Sequence, residues 1–163
     1  MTGSILEALL SLPARSGPRP ETGQAMPHEQ LTQNAPVELQ ETLFERARSL
    51  AGVSVLPSRV SVPGARAFVL DGEIAGGPPE AFMVEREFAH LHPPYDGSLH
   101  VSLPREGVEE VVAKGWGELH PAARVGMIPG TATMVFGPRD VEELETVLLI
   151  LRASHAFARG EDP

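Results

Sequence analysis

The chain has 163 residues, which suggests a single domain with a sizeable core, and 42% of them are hydrophobic. Its net charge of −9 argues against a nucleic-acid partner, because binding to phosphates needs clustered Lys and Arg. It contains no cysteine, which excludes disulfides, thiolate catalysis and cysteine-ligated metal sites.

The first predicted element is a short amphipathic helix over residues 5–12, "ILEALLSL". This apolar run is interrupted by Glu7, has no basic leader and is too short to span a bilayer. We therefore expect no signal peptide, no membrane partner and a cytoplasmic location. A stretch rich in proline and glycine follows, so we assign residues 1–30 to a helix and an irregular arm, and residues 31–160 to the domain.

The next segment, "NAPVELQETLFERARSLAG", is predicted to be a helix. Asn34 is expected to cap it and Pro36 suits its first turn, while Gly52 supplies a stop. Two short strands are then expected in "SRVSVPGARAFVL", one on each side of Pro63-Gly64.

Three elements are predicted near the C-terminus: a short helix in "PREGVEEVVAKG", a strand in "TATMVFGP" and a long final helix. The short helix is expected to turn Val108, Val111 and Val112 inward, and the final helix to begin at Asp140 with Glu143 in a capping-box arrangement. The resulting element order, α-β-β-β-β-α-β-α, favours an α+β fold: a single domain with a mostly antiparallel sheet backed by helices.

The stretch "REFAHLHPPYDGSLH" holds three of the six histidines of the chain. We predict that residues 88–92 and 98–102 pair as an antiparallel hairpin, with His90 opposite His100. Because side chains alternate along a strand, His90, His92 and His100 then share one face and the apolar residues between them point to the other. A slip of one residue would turn the apolar residues away from the core, so their alternation resists such a slip.

Three interpretations fit such a patch of imidazoles. One is a divalent metal bound by His90, His92 and His100, with His120 or Glu87 completing the set. Another is metal-free acid–base catalysis by imidazoles that titrate near neutral pH. The third is a polar sheet face whose histidines bond to backbone carbonyls and water.

Two further clusters lie downstream. In "KGWGELHP", Trp116 serves either as a core residue or as the wall of an aromatic-substrate pocket with His120 at its rim. In "VFGPRD", Arg139 either binds an anionic ligand or ties down its loop. His155 is expected to be half-buried on the final helix, and His28 has no motif around it.

These clusters carry a family resemblance. The segments "REFAHLHPPYDGSLHVSLP", "AKGWGELHP" and "VFGPRDVEELETVLLILRAS" resemble, in order and spacing, the luciferase-domain family, over about residues 80–158. That family includes the fungal luciferases that oxidise 3-hydroxyhispidin and many small bacterial proteins of unassigned function. The resemblance implies an oxygenase-type reaction on a small enol-pyrone-like substrate, with dioxygen as co-substrate and no flavin or haem.

The resemblance also implies roles for particular residues. Catalysis would fall to His90, His92, His100 and His120, any of which could act as base, with Arg86 holding the anion. Substrate binding would fall to Glu87, Tyr95, Asp96, Trp116 and Arg139, although "PPY" at the loop centre replaces a more polar sequence in the fungal enzymes. The alternatives are an accessory protein that binds a small molecule without turnover, and a metal-dependent enzyme with His90, His92 and His100 as ligands.

Overall fold

Six strands form one antiparallel sheet in the computed structural model, which describes residues 4–161. The strand order across the sheet is β1-β2-β3-β4-β6-β5. The strands are β1 Val53–Pro57, β2 Arg66–Leu70, β3 Glu87–Leu91, β4 Leu99–Ser102, β5 Gly117–Leu119 and β6 Ala132–Val135. The predicted α+β class, with an antiparallel sheet backed by helices, is confirmed.

The helices are α1 Ile5–Leu9, α2 Val37–Arg48, α3 Arg105–Ala113, α4 Pro121–Arg124 and α5 Val141–Arg159, with a 3₁₀ turn at Pro79–Ala81. Helix α5 packs against β3 and β4, α2 against β1, and α3 against β5. The side chain of Asp140 caps α5 by accepting from the Glu143 N–H at 2.8 Å, as the sequence predicted. Within residues 4–161, every helix is too short or too polar to cross a membrane.

The structure corrects several predicted elements. The strand before Pro63-Gly64 lies earlier than expected, at β1, and residues 58–65 form the connection to β2. Val112 is 38% exposed, because the buried side of α3 is centred on Gly107, Val108 and Val111.

Helix α2 begins after Pro36, so Asn34 does not cap it. The Asn34 amide instead donates to the Gln30 carbonyl at 2.9 Å and to the Asp96 carbonyl at 2.8 Å. It therefore ties the N-terminal arm to the loop of the β3–β4 hairpin. Strand β5 and helix α4 were not predicted.

The two faces of the sheet differ in chemistry. On the helix side, Ala89, Leu91, Leu99 and Val101 are at most 1% exposed and belong to the apolar core. The opposite face of β3 and β4 carries histidines, and the N-terminal arm packs over it through His28. The sheet thus holds a polar cluster in place by burying its other face.

A bulge in β3 places one more polar side chain on the histidine face. Across β2, Ala67 pairs with His90 and Val69 pairs with Glu87, so Phe88 is left without a direct partner. Alternate residues of β2 point to the same face, and therefore Glu87 and His90 do as well. Strict alternation along β3 would have turned Glu87 into the apolar core.

Candidate functional site

The predicted hairpin register is confirmed. His90 pairs with His100, and the backbone N–H of His92 donates to the Ser98 carbonyl at 2.9 Å. The ring centroids lie 5.2 Å apart for His90 and His92, 5.1 Å for His90 and His100, and 4.6 Å for His92 and His100. The three imidazoles therefore form one buried group.

Strand β5 adds two residues to this group. His100 and Glu118 both pair with Met134 of β6, from opposite sides, so their side chains share a face. His120 follows two positions after Glu118 on the same face, and its ring centroid lies 4.8 Å from that of His100. The polar–apolar–polar alternation Glu118-Leu119-His120 is typical of a strand, although no strand was predicted there.

The N-terminal arm supplies a fifth histidine, His28, which the sequence analysis left without a role. Its Nδ1 lies 2.8 Å from His100 Nε2, and its Nε2 lies 2.6 Å from Glu118 Oε1. Gln30, two residues further along the arm, donates its backbone N–H to Asp96 at 3.1 Å. These contacts join segments that are distant along the chain, so no local sequence pattern could predict them.

Buried carboxylates fix the tautomers of His90 and His92. Glu87 Oε2 lies 2.8 Å from His90 Nδ1, and Asp96 Oδ2 lies 3.2 Å from His92 Nδ1. Ser98 stands beside Asp96, with its hydroxyl 2.8 Å from the same nitrogen of His92. An ionised carboxylate only accepts, so each Nδ1 carries the proton and each Nε2 keeps a lone pair when the ring is neutral.

Both of those Nε2 atoms point at His100. His100 Nδ1 lies 3.0 Å from His90 Nε2 and 3.1 Å from His92 Nε2. Burial lowers the pKa of His90, despite the opposing hydrogen bond with Glu87, and it lowers the pKa of His100 well below the ordinary range. Neutral rings at this spacing make the cluster a concentrated set of nitrogen lone pairs.

His120 carries its proton on the other ring nitrogen. Its Nδ1 accepts from the Ala122 backbone N–H at 3.0 Å, which leaves the proton of the neutral ring on Nε2. Burial, followed by the charges of His28, His90 and His92, lowers the pKa of His120 to about 4, so the ring is neutral at pH 7. His120 is therefore an N–H donor within a group of acceptors.

A cavity of about 500 Å³ opens onto the cluster. All five clustered histidines line it, and the rest of the wall is mainly apolar, with Met26, Val60, Phe82 and Ile128 among its residues. This volume and this mixture of apolar wall and few polar groups are typical of a small-molecule site, in the range of roughly 300–1,000 Å³.

The structure does not bring Trp116 or Arg86 to this cavity. Trp116 is 4% exposed within the apolar core, and its indole N–H donates to the Pro13 carbonyl at 2.7 Å. Arg86 is exposed and donates to the Leu70 carbonyl at 2.8 Å. Both positions fit structural roles.

Tyr95 and Arg139 also lie outside the cavity wall. Tyr95 is 63% exposed at the tip of the hairpin loop, where a hydrogen bond with Glu29 raises the pKa of its phenol. Arg139 pairs with Glu143 and donates to the Ser16 carbonyl at 2.7 Å. Arg139 thus ties the N-terminal arm to its loop, in line with the second interpretation of "VFGPRD". Glu87 and Asp96 contact the histidines directly, through His90 and His92.

Glu118 leads to a prediction about stability at low pH. Burial raises the pKa of its carboxyl, but hydrogen bonds with His28 and Thr22 and the charges of His28 and Arg19 prevail and lower it from 4.5 to about 2. A carboxyl with a depressed pKa in the folded state stabilises above its unfolded value, and this contribution is lost as the pH falls through the folded value.

We therefore expect Glu118→Gln to lose about 1–3 kcal/mol of unfolding free energy at pH 6, and the difference from wild type to shrink between pH 4.5 and pH 2. Urea unfolding at a series of pH values measures this. A difference that stays constant across that window would show that the Glu118 carboxylate does not stabilise the fold through its charge.

Comparisons with known proteins give matches to one kind of protein. Residues 85–154 match the family model of the luciferase domain. Luciferases of Armillaria ostoyae and Armillaria gallica are 34% and 33% identical to the chain over 169 aligned residues, which cover 94% of the chain and 63% of each relative. A luciferase of Neonothopanus nambi is 38% identical over 80 residues, covering 47% of the chain and 30% of that protein.

The chain thus spans less than two thirds of the length of these relatives. No solved structure gives a significant match. Fold and site define an α+β protein with a histidine-lined cavity. Residues 85–154 of this protein match the luciferase domain, and the chain is related to the fungal luciferases.

Proposed function

We propose that this chain is an oxygenase-type enzyme that binds a small aromatic or enolisable molecule in the histidine-lined cavity and combines it with dioxygen. The cavity supports the proposal most directly, because it places titratable nitrogens inside a mainly apolar space of about 500 Å³. The family relationship supports the same class of chemistry, since the matched relatives are named as luciferases.

The histidines suit the proton transfers of such a reaction. Loss of a proton from an enol leaves a carbanion, which gives two electrons to dioxygen, forms a carbon–oxygen bond and leaves a peroxide anion that is then protonated. The nitrogen lone pairs at His90 and His92 are the acceptors for that proton. His120, whose Nε2 carries the proton, is the group that stabilises an anionic oxygen in the cavity.

The Glu118–His28–His100 row extends this capacity. Glu118 accepts from His28 Nε2 at 2.6 Å, and His28 Nδ1 lies 2.8 Å from His100 Nε2. A proton or positive charge that reaches His100 is therefore stabilised by a buried carboxylate two hydrogen bonds away. Arg86, Tyr95, Trp116 and Arg139 are not part of the proposed machinery, because none of them lines the cavity.

Oxygen uptake with a panel of 3-hydroxy-2-pyrones and related enols tests the proposal. The wild-type chain is expected to consume dioxygen and release an oxygenated product with at least one of them. Ala132→Leu, which fills the cavity wall, is expected to raise KM by roughly tenfold or more, as the loss of about 1.4 kcal/mol of binding would.

Ala113→Leu is the matched control, because Ala113 is exposed on α3 and the same volume is added away from the cavity. It is expected to leave kinetics unchanged. Saturable binding of these enols without oxygen uptake would favour the accessory binding protein instead. Equal effects of the two leucine variants would contradict the placement of the substrate in the cavity.

A further inference from the structure

When all its rings are neutral, the histidine cluster has too few N–H groups to satisfy its nitrogen lone pairs. The carboxylates of Glu87, Asp96 and Glu118 accept the N–H groups of His90, His92 and His28, respectively. Each of these three rings therefore presents a lone pair to His100. His100 has one N–H to offer. If the proton is on Nδ1, His100 Nε2 and His28 Nδ1 oppose two lone pairs at 2.8 Å.

If the proton is instead on His100 Nε2, the row to His28 and Glu118 is fully hydrogen-bonded. Three lone pairs then converge, from His90 Nε2, His92 Nε2 and His100 Nδ1. An additional proton could sit between two of these atoms, but an ion can accept all three.

The spacing of the three nitrogens suits a metal. Two nitrogens that bind one ion at right angles, each at about 2.1 Å, lie about 3.0 Å apart. The observed separations are 3.0 Å for His90 Nε2 and His100 Nδ1, and 3.1 Å for His92 Nε2 and His100 Nδ1. The ligand atoms of all three residues lie within 4.8 Å of one another.

The surroundings have the features that support metal-bound histidines. Each ring donates the N–H of its other nitrogen to a partner that orients it: His90 to Glu87, His92 to Asp96 and Ser98, and His100 to His28. Such outer partners fix the tautomer and raise the basicity of the ligands.

Charge points the same way. Glu87 and Asp96 are 3% and 0% exposed, and within residues 4–161 neither pairs with a Lys or Arg side chain. With Glu118 they make three buried carboxylates, and Arg19, 2.8 Å from Glu118, supplies one positive charge. The remaining charge of −2 is balanced by one divalent cation.

We propose that His90, His92 and His100 bind one divalent first-row transition-metal ion through His90 Nε2, His92 Nε2 and His100 Nδ1. An all-imidazole donor set suits Fe, Cu, Ni or Zn rather than Mg or Ca. The three histidines line the cavity, so the remaining coordination positions face it. Once bound, the ion would occupy the lone pairs of His90 and His92 and would take their place in the proposed function by lowering the pKa of an enol oxygen bound to it. Its binding does not depend on that function.

Metal analysis and titration test this proposal. The purified full chain is stripped with a chelator and titrated with Co²⁺, whose visible d–d absorption reports nitrogen coordination, and with Fe²⁺ and Zn²⁺ by calorimetry. One equivalent per chain is expected, with a rise in Tm of roughly 5–10 °C at an ion concentration one hundred times Kd. His92→Ala is expected to abolish both signals.

Two further variants keep the test interpretable. Glu87→Gln is expected to weaken binding by roughly 10–100-fold without changing the stoichiometry. His155→Gln removes a buried histidine on α5, far from the cluster, whose Nε2 lies 2.8 Å from the Ala51 carbonyl, and it should bind metal like wild type. A metal-free chain that shows no titration signal with any of the three ions would overturn the metal site.

Oxygen uptake separates this inference from the proposed function. Full oxygenase activity in a demonstrably metal-free chain overturns the metal site and leaves the oxygenase standing. Stoichiometric metal binding without oxygen uptake in the presence of any enol overturns the oxygenase and leaves the metal site standing.

Discussion

Oxygen consumption is expected to fall by about 10³-fold or more when His100 is replaced by alanine, with the fold retained. His100 is the only residue whose side chain contacts both halves of the cluster within residues 4–161: its Nδ1 faces His90 and His92, and its Nε2 faces His28. Proton transfer by positioned groups contributes typically 10²–10⁴-fold to a rate. This substitution removes the link between His90 and His92, the proposed proton acceptors, and the His28–Glu118 pair.

The measurement is the initial rate of oxygen uptake with the enol that wild type oxidises best, together with kcat and KM. Far-UV circular dichroism and the thermal midpoint check that the variant is folded. His155→Gln is the matched control, since it changes a buried histidine that contacts Phe88 and Ala51 rather than the cluster. A folded His100→Ala variant that keeps more than about a tenth of the wild-type rate would refute the assigned role of the cluster.

The site was predictable from the sequence where its geometry is local. Alternation of Ala89, Leu91, Leu99 and Val101 with the histidines, together with the five-residue loop, predicted the register of β3 and β4, because a slip of one residue would turn one set of apolar residues away from the core. The same reasoning could not place Glu87, since the bulge at Phe88 breaks the period of two that the reasoning relies on.

The parts that escaped prediction depend on contacts across long stretches of chain. His28 lies on an arm without periodicity, and 72 residues separate it from His100, its neighbour in space. Trp116 was weighed as a pocket wall, yet the turn after α3 directs it into the core, where Pro13 of the arm accepts its N–H. The boundary proposed at residue 30 stays a prediction, and the contacts of His28 and Gln30 show that the arm packs on the sheet.

Strand β5 carries Glu118 and His120, so its fit against β6 controls the geometry of the cluster. Gly117 has no room for a side chain: a Cβ there would lie 2.0 Å from the Met134 carbonyl oxygen and 3.1 Å from Val111 Cγ1. The first of these is a backbone atom of the neighbouring strand, which cannot move without breaking the pairing of β5 with β6. The whole strand must shift to admit even one methyl group.

We expect Gly117→Ala to lower the free energy of unfolding by about 3 kcal/mol and Tm by roughly 6–12 °C, through overpacking and lost strand pairing. Because β5 also positions Glu118 against His28, the variant should lose oxygenase activity even at temperatures where it remains folded.

Gly130→Ala is the control, since the atom nearest its added Cβ, at 2.9 Å, is the end of the exposed and flexible Arg105 side chain. It should change Tm little. If Gly117→Ala and Gly130→Ala had the same Tm, this would show that β5 moves away from β6 at little cost in free energy. The positions of Glu118 and His120 would then not be fixed by the sheet, and the cluster could not rely on strand pairing for its geometry.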